Sequence, residues 1–167
     1  MAVTHHHQKG FIFLEILIAT ALISIVFVAL MGVGVQALNI SSSIKKTTQI
    51  DALIKEEMEA VRSFRDGTVW ATTGLGGLAT GSNSPYYMVL NTGVNPNTWI
   101  TQTGTETVSG FSRKVHFDKV SRDPATSDIE GTYNASNDDP DTRKATVTIA
   151  SGSNTYEVIT YFTNWQP

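Results

Sequence analysis

Four groups of residues in this 167-residue chain carry side chains that could do chemistry. Glu15 is a lone carboxylate five residues into an apolar run that opens after Lys9-Gly10. Ser112, His116 and Asp118 are the residue types of a nucleophile, a base and its orienting acid, and alternation along a strand would put them on one face. No Gly-x-Ser-x-Gly elbow accompanies them, so no catalytic role is expected of them and the chain is expected not to be an enzyme. Asp138, Asp139 and Asp141, with Asp123, Asp128 and Glu130 near them, offer oxygen ligands for calcium. Their spacing is not that of an EF-hand, and a solvated acidic loop is the default reading. His5 to His7 could supply imidazole nitrogens, but a closed metal site needs ligands converging from several directions, and a polar leader explains the tract more simply. No cofactor is expected.

Of these, Glu15 imposes the strongest physical demand. Between Ile16 and Ile44 no residue is charged, a stretch longer than the ~20 residues a helix needs to cross a bilayer core. A carboxylate deep in lipid costs roughly 2.5 to 3.5 kcal/mol, so it calls for a partner. The polar leader before the run carries Lys9, which holds that end on the cytoplasmic side. A cleaved secretory signal, with Gly34-Val35-Gln36-Ala37 as its cleavage site, would need an apolar core of only about 7 to 15 residues. An uncleaved signal anchor accommodates the length. Both leave Glu15 without a role.

The residues Gly10-Phe11-Ile12-Phe13-Leu14-Glu15, followed by an apolar helix, resemble the prepilin signature of type IV pilins and type II secretion pseudopilins. The match spans about residues 8 to 38. The resemblance implies that a prepilin peptidase/methyltransferase cuts between Gly10 and Phe11 and methylates the new Phe11 amine. It also implies assembly with other pilin or pseudopilin subunits on an inner-membrane platform. The chain would sit first in the bacterial cytoplasmic membrane, with its C-terminal domain outside the cytoplasm, and then in an extracytoplasmic filament. Cleavage there would place a new ammonium group four residues from Glu15. In a staggered bundle, the Glu15 of one subunit could meet the Phe11 amine of another, so that two costly buried charges become tolerable as a pair.

Apolar residues continue past the membrane run at three- and four-residue steps, through Ile40, Ile44, Ile50, Leu53, Ile54, Met58, Val61 and Phe64. Lys45, Lys46, Gln49, Lys55, Glu56, Glu59, Arg62 and Arg65 occupy the other sides. No proline interrupts residues 11 to 65, and Asp66-Gly67 supplies a stop. One helix is therefore expected over residues 11–66, with 11–38 as its transmembrane or filament-core segment after a leader of residues 1–10. Gly32 and Gly34 each weaken a helix interior by roughly 1 kcal/mol, or let a second helix approach closely. Many pilins carry proline where Gly32 stands, so this chain departs from their pattern there. The segment Ile54-Lys55-Glu56-Glu57-Met58-Glu59-Ala60-Val61-Arg62-Ser63-Phe64-Arg65-Asp66 is similar to a helix end found in pilin-like proteins; by itself it is a charged amphipathic helix.

Residues 67–167 change in character and form an expected exported β-rich domain. Trp70 to Pro85 is rich in glycine, threonine and serine and reads as a long loop. Strand candidates are Tyr86 to Leu90, Thr98 to Thr103, Phe111 to Val120, Ala145 to Ile149 and Tyr156 to Phe162, with a turn over Ser151 to Asn154. Ser121 to Thr142 reads as an acidic surface loop. Trp70, Trp99 and Trp165 read as packing residues. The expected fold is α+β, a long N-terminal helix packed on an antiparallel sheet of about four strands, the plan that pilins share.

Composition narrows the function further. The absence of cysteine removes disulfides, thiolate zinc sites and cysteine nucleophiles. A net charge of −3 argues against a nucleic-acid-binding surface. Two functions remain in view. One is a structural subunit of a type IV pilus or type II secretion-like pseudopilus; the other is an uncleaved, single-pass, signal-anchored binding or adhesion domain.

Overall fold

A single helix begins the structure because nothing in the sequence stops it until Asp66-Gly67. The computed structural model describes residues 8–165, with side chains from residue 11; His5 to His7 and the rest of the leader's first seven residues lie outside the described residues. Helix α1 runs Gln8–Gly67 and passes unbroken through Gly32 and Gly34, where a Cβ would meet nothing within 4 Å. The chain divides into two units at Thr47/Thr48, so the first part of α1 belongs to one and its remainder to the other.

In the first unit the described side chains of α1 are exposed, apart from the half-buried Lys46. Phe11, Phe13, Leu22, Phe27, Val28 and Leu38 are all exposed, and they point around the whole circumference of the helix rather than along one stripe. This helix is long and apolar enough to cross a membrane.

In the second unit, α1 from Ile50 onward packs on an antiparallel sheet through Ile50, Leu53, Ile54, Ala60, Val61 and Phe64. The sheet has six strands: β1 (Tyr86–Asn91), β2 (Thr98–Thr103), β3 (Glu106–Val108), β4 (Phe111–Ser121), β5 (Asp138–Ser151) and β6 (Asn154–Thr163). Their order is β2-β1-β4-β5-β6, with β3 paired to the first part of β4. The α+β expectation holds, and the count of four strands is corrected to six.

The differences have local physical reasons. β3 is only three residues long, too short to show alternation, and it exists because Ser109 and Gly110 both take positive φ (52° and 83°) in a two-residue hairpin turn. The residues Asp138-Asp139-Pro140-Asp141 have poor strand propensity, yet β5 starts there, so the expected acidic loop ends at Asn137. A shift in register between Lys119 and Val120, opposite Arg143 and Asp139, accommodates Pro140 to Thr142. The expected turn at Ser151 to Asn154 is present, with Gly152 at φ +61.

β4 and β5 supply the centre of the core, where Val115, Phe117, Ala145, Val147 and Ile149 are inaccessible to solvent. Each such apolar side chain contributes about 1.5 to 3 kcal/mol when fully buried, alanine less. The loop after α1 is tied down rather than loose. Trp70 is buried and donates from Nε1 to the Pro140 carbonyl at 2.9 Å. Gly76 lies so close against this indole that a Cβ would sit 2.6 Å from Trp70 Nε1. Its carbonyl in turn accepts from Arg143 Nη2 at 3.0 Å.

Candidate functional site

Phe11 and Glu15 stand one helical turn apart on α1, on a face shared with Ile18 and Leu22. The other polar groups nearby are satisfied within the helix. Thr20 Oγ1 donates to the Leu17 carbonyl at 3.0 Å, and Ser24 Oγ to the Thr20 carbonyl at 2.7 Å. Such bonds let hydroxyls enter an apolar environment at little cost. Glu15 has no equivalent, because a carboxylate is an acceptor and the carbonyls preceding it are acceptors too. Among the described residues it has neither a hydrogen bond nor an ion pair. Gly10 and Phe11, the expected cleavage pair, lie inside α1. The arrangement is an apolar helix whose carboxylate at Glu15 has no hydrogen-bond or ion-pair partner among the described residues.

A second polar constellation lies in the folded domain. Glu57 occupies the apolar face of α1 and is inaccessible to solvent. Its Oε1 accepts from the Met88 amide of β1 at 3.0 Å. Its Oε2 faces Arg113 Nε of β4 at 3.2 Å, an ion pair without an aligned hydrogen bond. Arg113 is itself nearly fully buried, standing between Phe111 and Val115 on the core face of β4. It donates from Nε to Glu106 Oε2 of β3 at 3.1 Å and lies 3.3 Å from Glu56 Oε1. One guanidinium thus serves three carboxylates from two elements. Burial pushes the Glu57 carboxyl up from 4.5 to about 7, against the pull of Arg113 and the Met88 amide; Glu106 and Glu56 add to the rise.

Sequence reasoning missed this cluster. Glu57 occupies an apolar step of the helix, between Leu53-Ile54 and Ala60-Val61, where a polar residue must find a partner. Arg113 likewise takes an inward position in the alternation of Phe111, Val115 and Phe117. Those two pattern breaks were the available signals.

The remaining candidates stay apart. Asp139 pairs with Arg122 Nε at 2.6 Å, Asp138 accepts from the Tyr133 hydroxyl at 3.0 Å, and Asp141 accepts from Asn164 Nδ2 at 3.0 Å. Burial raises the Asp139 carboxyl, but hydrogen bonds from Thr142 and Arg122 outweigh it and hold the group below its ordinary range. Asp123 caps the amides of Ala125 and Thr126, and Glu130 accepts from Asn137. Among the described residues no three such side chains converge as metal ligands. His116 and Asp118 do share a face, at 3.7 Å, and Lys144 Nζ reaches Asp118 at 3.0 Å. Ser112 is four residues from His116 along the same strand, about 13 Å away, so it does not meet that pair. Trp70 and Trp99 pack on the core, while Trp165 is exposed and donates to Asp66 at 3.1 Å.

No family model, no curated protein and no solved structure matches this chain.

Proposed function

We propose that this chain is a structural subunit of a pilin-like filament, a type IV pilus or a type II secretion-like pseudopilus. On this reading the leader is removed between Gly10 and Phe11 by a prepilin peptidase, which methylates the new amine. The mature helix then leaves the bilayer for the filament core, and the sheet domain faces outward. The observation that carries the proposal is the partnerless Glu15 on an all-round apolar helix, one turn from Phe11. A carboxylate in that position is expensive in lipid, and the amine created at Phe11 of another subunit is the opposite charge it lacks. The chain does no chemistry of its own in this role; it is a substrate for its processing enzyme and a part for the assembly platform.

Intact mass and N-terminal sequencing of the exported protein test the proposal. The expected product begins at N-methyl-Phe11. A chain that keeps Met1 in cells possessing the peptidase overturns it and leaves the signal-anchored binding domain as the better reading.

A further inference from the structure

On β6 only Phe162 is buried in the core of the folded domain. On the face of the sheet that carries the core, Val147 and Ile149 of β5 are inaccessible to solvent. Their direct neighbours on β6, Val158 and Tyr156, are 38% and 36% exposed. Val158 borders an open groove of about 380 Å³ with Ile54 and Met58 of α1, which Asp51, Lys55, Glu59 and Arg62 also line. On the opposite face Ile159 is 56% exposed. Among the described residues no strand pairs with the outer edge of β6. A ten-residue edge of this kind is usually guarded by charge, proline or a bulge. Here only Glu157 is charged, no proline interrupts the strand, and pairing with β5 is unbroken from Thr142↔Thr163 to Ser151↔Asn154.

The other end of the sheet has the same property. β2 is Thr-Trp-Ile-Thr-Gln-Thr, without a charge, and its outer edge is open as well. Because every neighbouring pair in the order β2-β1-β4-β5-β6 is antiparallel, β2 and β6 run in the same direction. Two copies in the same orientation can therefore set β6 of one beside β2 of the next as a parallel pair. The faces agree in one register. Trp99 lies on the core face, since it pairs with Leu90 in the row of Tyr86 and Met88, and Ile100 lies on the opposite face. Val158 beside Trp99 and Ile159 beside Ile100 then match apolar to apolar on both faces, and Glu157 falls beside the uncharged Thr98.

We propose that β6 of one copy pairs in parallel with β2 of a second copy of this chain, continuing one sheet from subunit to subunit. Such a contact is head-to-tail, so it propagates or closes into a ring. A symmetric pairing of β6 with itself would leave β2 open in both copies. The inference rests on the membrane part of the function proposed above, which keeps every copy facing the same way across the bilayer.

The absence of cysteine permits a direct test with the full chain in membranes. One form carries Ile159→Cys and a second carries Ile100→Cys; they are oxidised separately and together, and adducts are read on a non-reducing gel. The expected result is a dimer formed only in the mixture, with yield at least fivefold lower when Val158→Lys is added to the first form. The pair Thr160→Cys and Thr101→Cys probes the same register on the other face and serves if Ile100→Cys fails to fold. A dominant homodimer of Ile159→Cys would instead show β6 pairing with itself. That result, or the absence of any mixed adduct from both pairs, overturns the proposal. Scoring cleavage at Gly10 in the same samples separates the two ideas: a processed chain without the mixed adduct overturns the edge pairing alone.

Discussion

Glu57 and Arg113 meet at 3.2 Å between helix and sheet, and neither is accessible enough to be served by bulk water. Their positions decide how the domain responds to pH. The folded carboxyl is raised from 4.5 to about 7, chiefly by burial, so the folded state holds its proton more tightly than the unfolded chain does. The stability this group contributes is fully present below about pH 4.5, and it is lost as pH rises to about 7.

Over this window the group should remove about 3 kcal/mol of stability, since each tenfold difference in proton affinity between folded and unfolded chain is worth about 1.4 kcal/mol. Glu57→Gln keeps an acceptor for the Met88 amide and cannot ionise. Urea midpoints measured at pH 5 and pH 8 should therefore differ less in this variant than in the parent. An equal pH dependence in the two would mean that Glu57 does not titrate in this range.

Arg113→Met should destabilise far more than an average surface substitution. It leaves the buried Glu57 and the half-buried Glu106 without their cation, a loss of about 3 to 5 kcal/mol by precedent for broken buried pairs. Adding Glu57→Gln should restore part of it. A strictly additive double variant in urea unfolding would show that the two residues are not coupled.

Gly76→Ala should cost about 1 to 3 kcal/mol, because the new methyl group must displace the Trp70 indole or its carbonyl, both within 2.8 Å. Tryptophan fluorescence reports the displacement and thermal unfolding reports the cost. An unchanged melting temperature would mean that the loop between α1 and β1 gives way freely.

Glu15→Ala should leave membrane insertion intact or improve it, since a carboxylate is removed from an apolar helix. If the filament reading is right, incorporation into filaments should fall while the amount of processed membrane-bound chain does not. Normal assembly of the variant, quantified in sheared and sedimented fractions, would overturn the charge-pairing argument.

Much of the fold was legible before the structure because it rests on local rules. The end of α1 at Gly67 and the turn at Ser151 to Asn154, where Gly152 takes positive φ, are both where the sequence places them. The alternation of Phe111, Val115 and Phe117 likewise marks β4. What escaped depends on partners distant in the chain. Asp138 and Asp139 enter β5 because Ser121 and Val120 lie opposite them, a fact their own composition hides. Glu57 looked like one more charge on an amphipathic helix; its inward position becomes visible only when counted against Leu53 and Val61. For the N-terminal candidates, the geometry adds the intrahelical bonds of Thr20 and Ser24 and the contrast they make with Glu15.

The arginine that serves Glu57 arrives late. Glu57 lies in α1, whose hydrogen bonds are local and can form as soon as that stretch of chain exists, whereas Arg113 comes only with β4. Until then the glutamate has no countercharge, and dehydrating it would be uphill. The helix must therefore wait, with its apolar face uncovered, for strands encoded well downstream. In a chain that emerges N-terminus first, the buried cluster is complete only once β3 and β4 bring Glu106 and Arg113 into place.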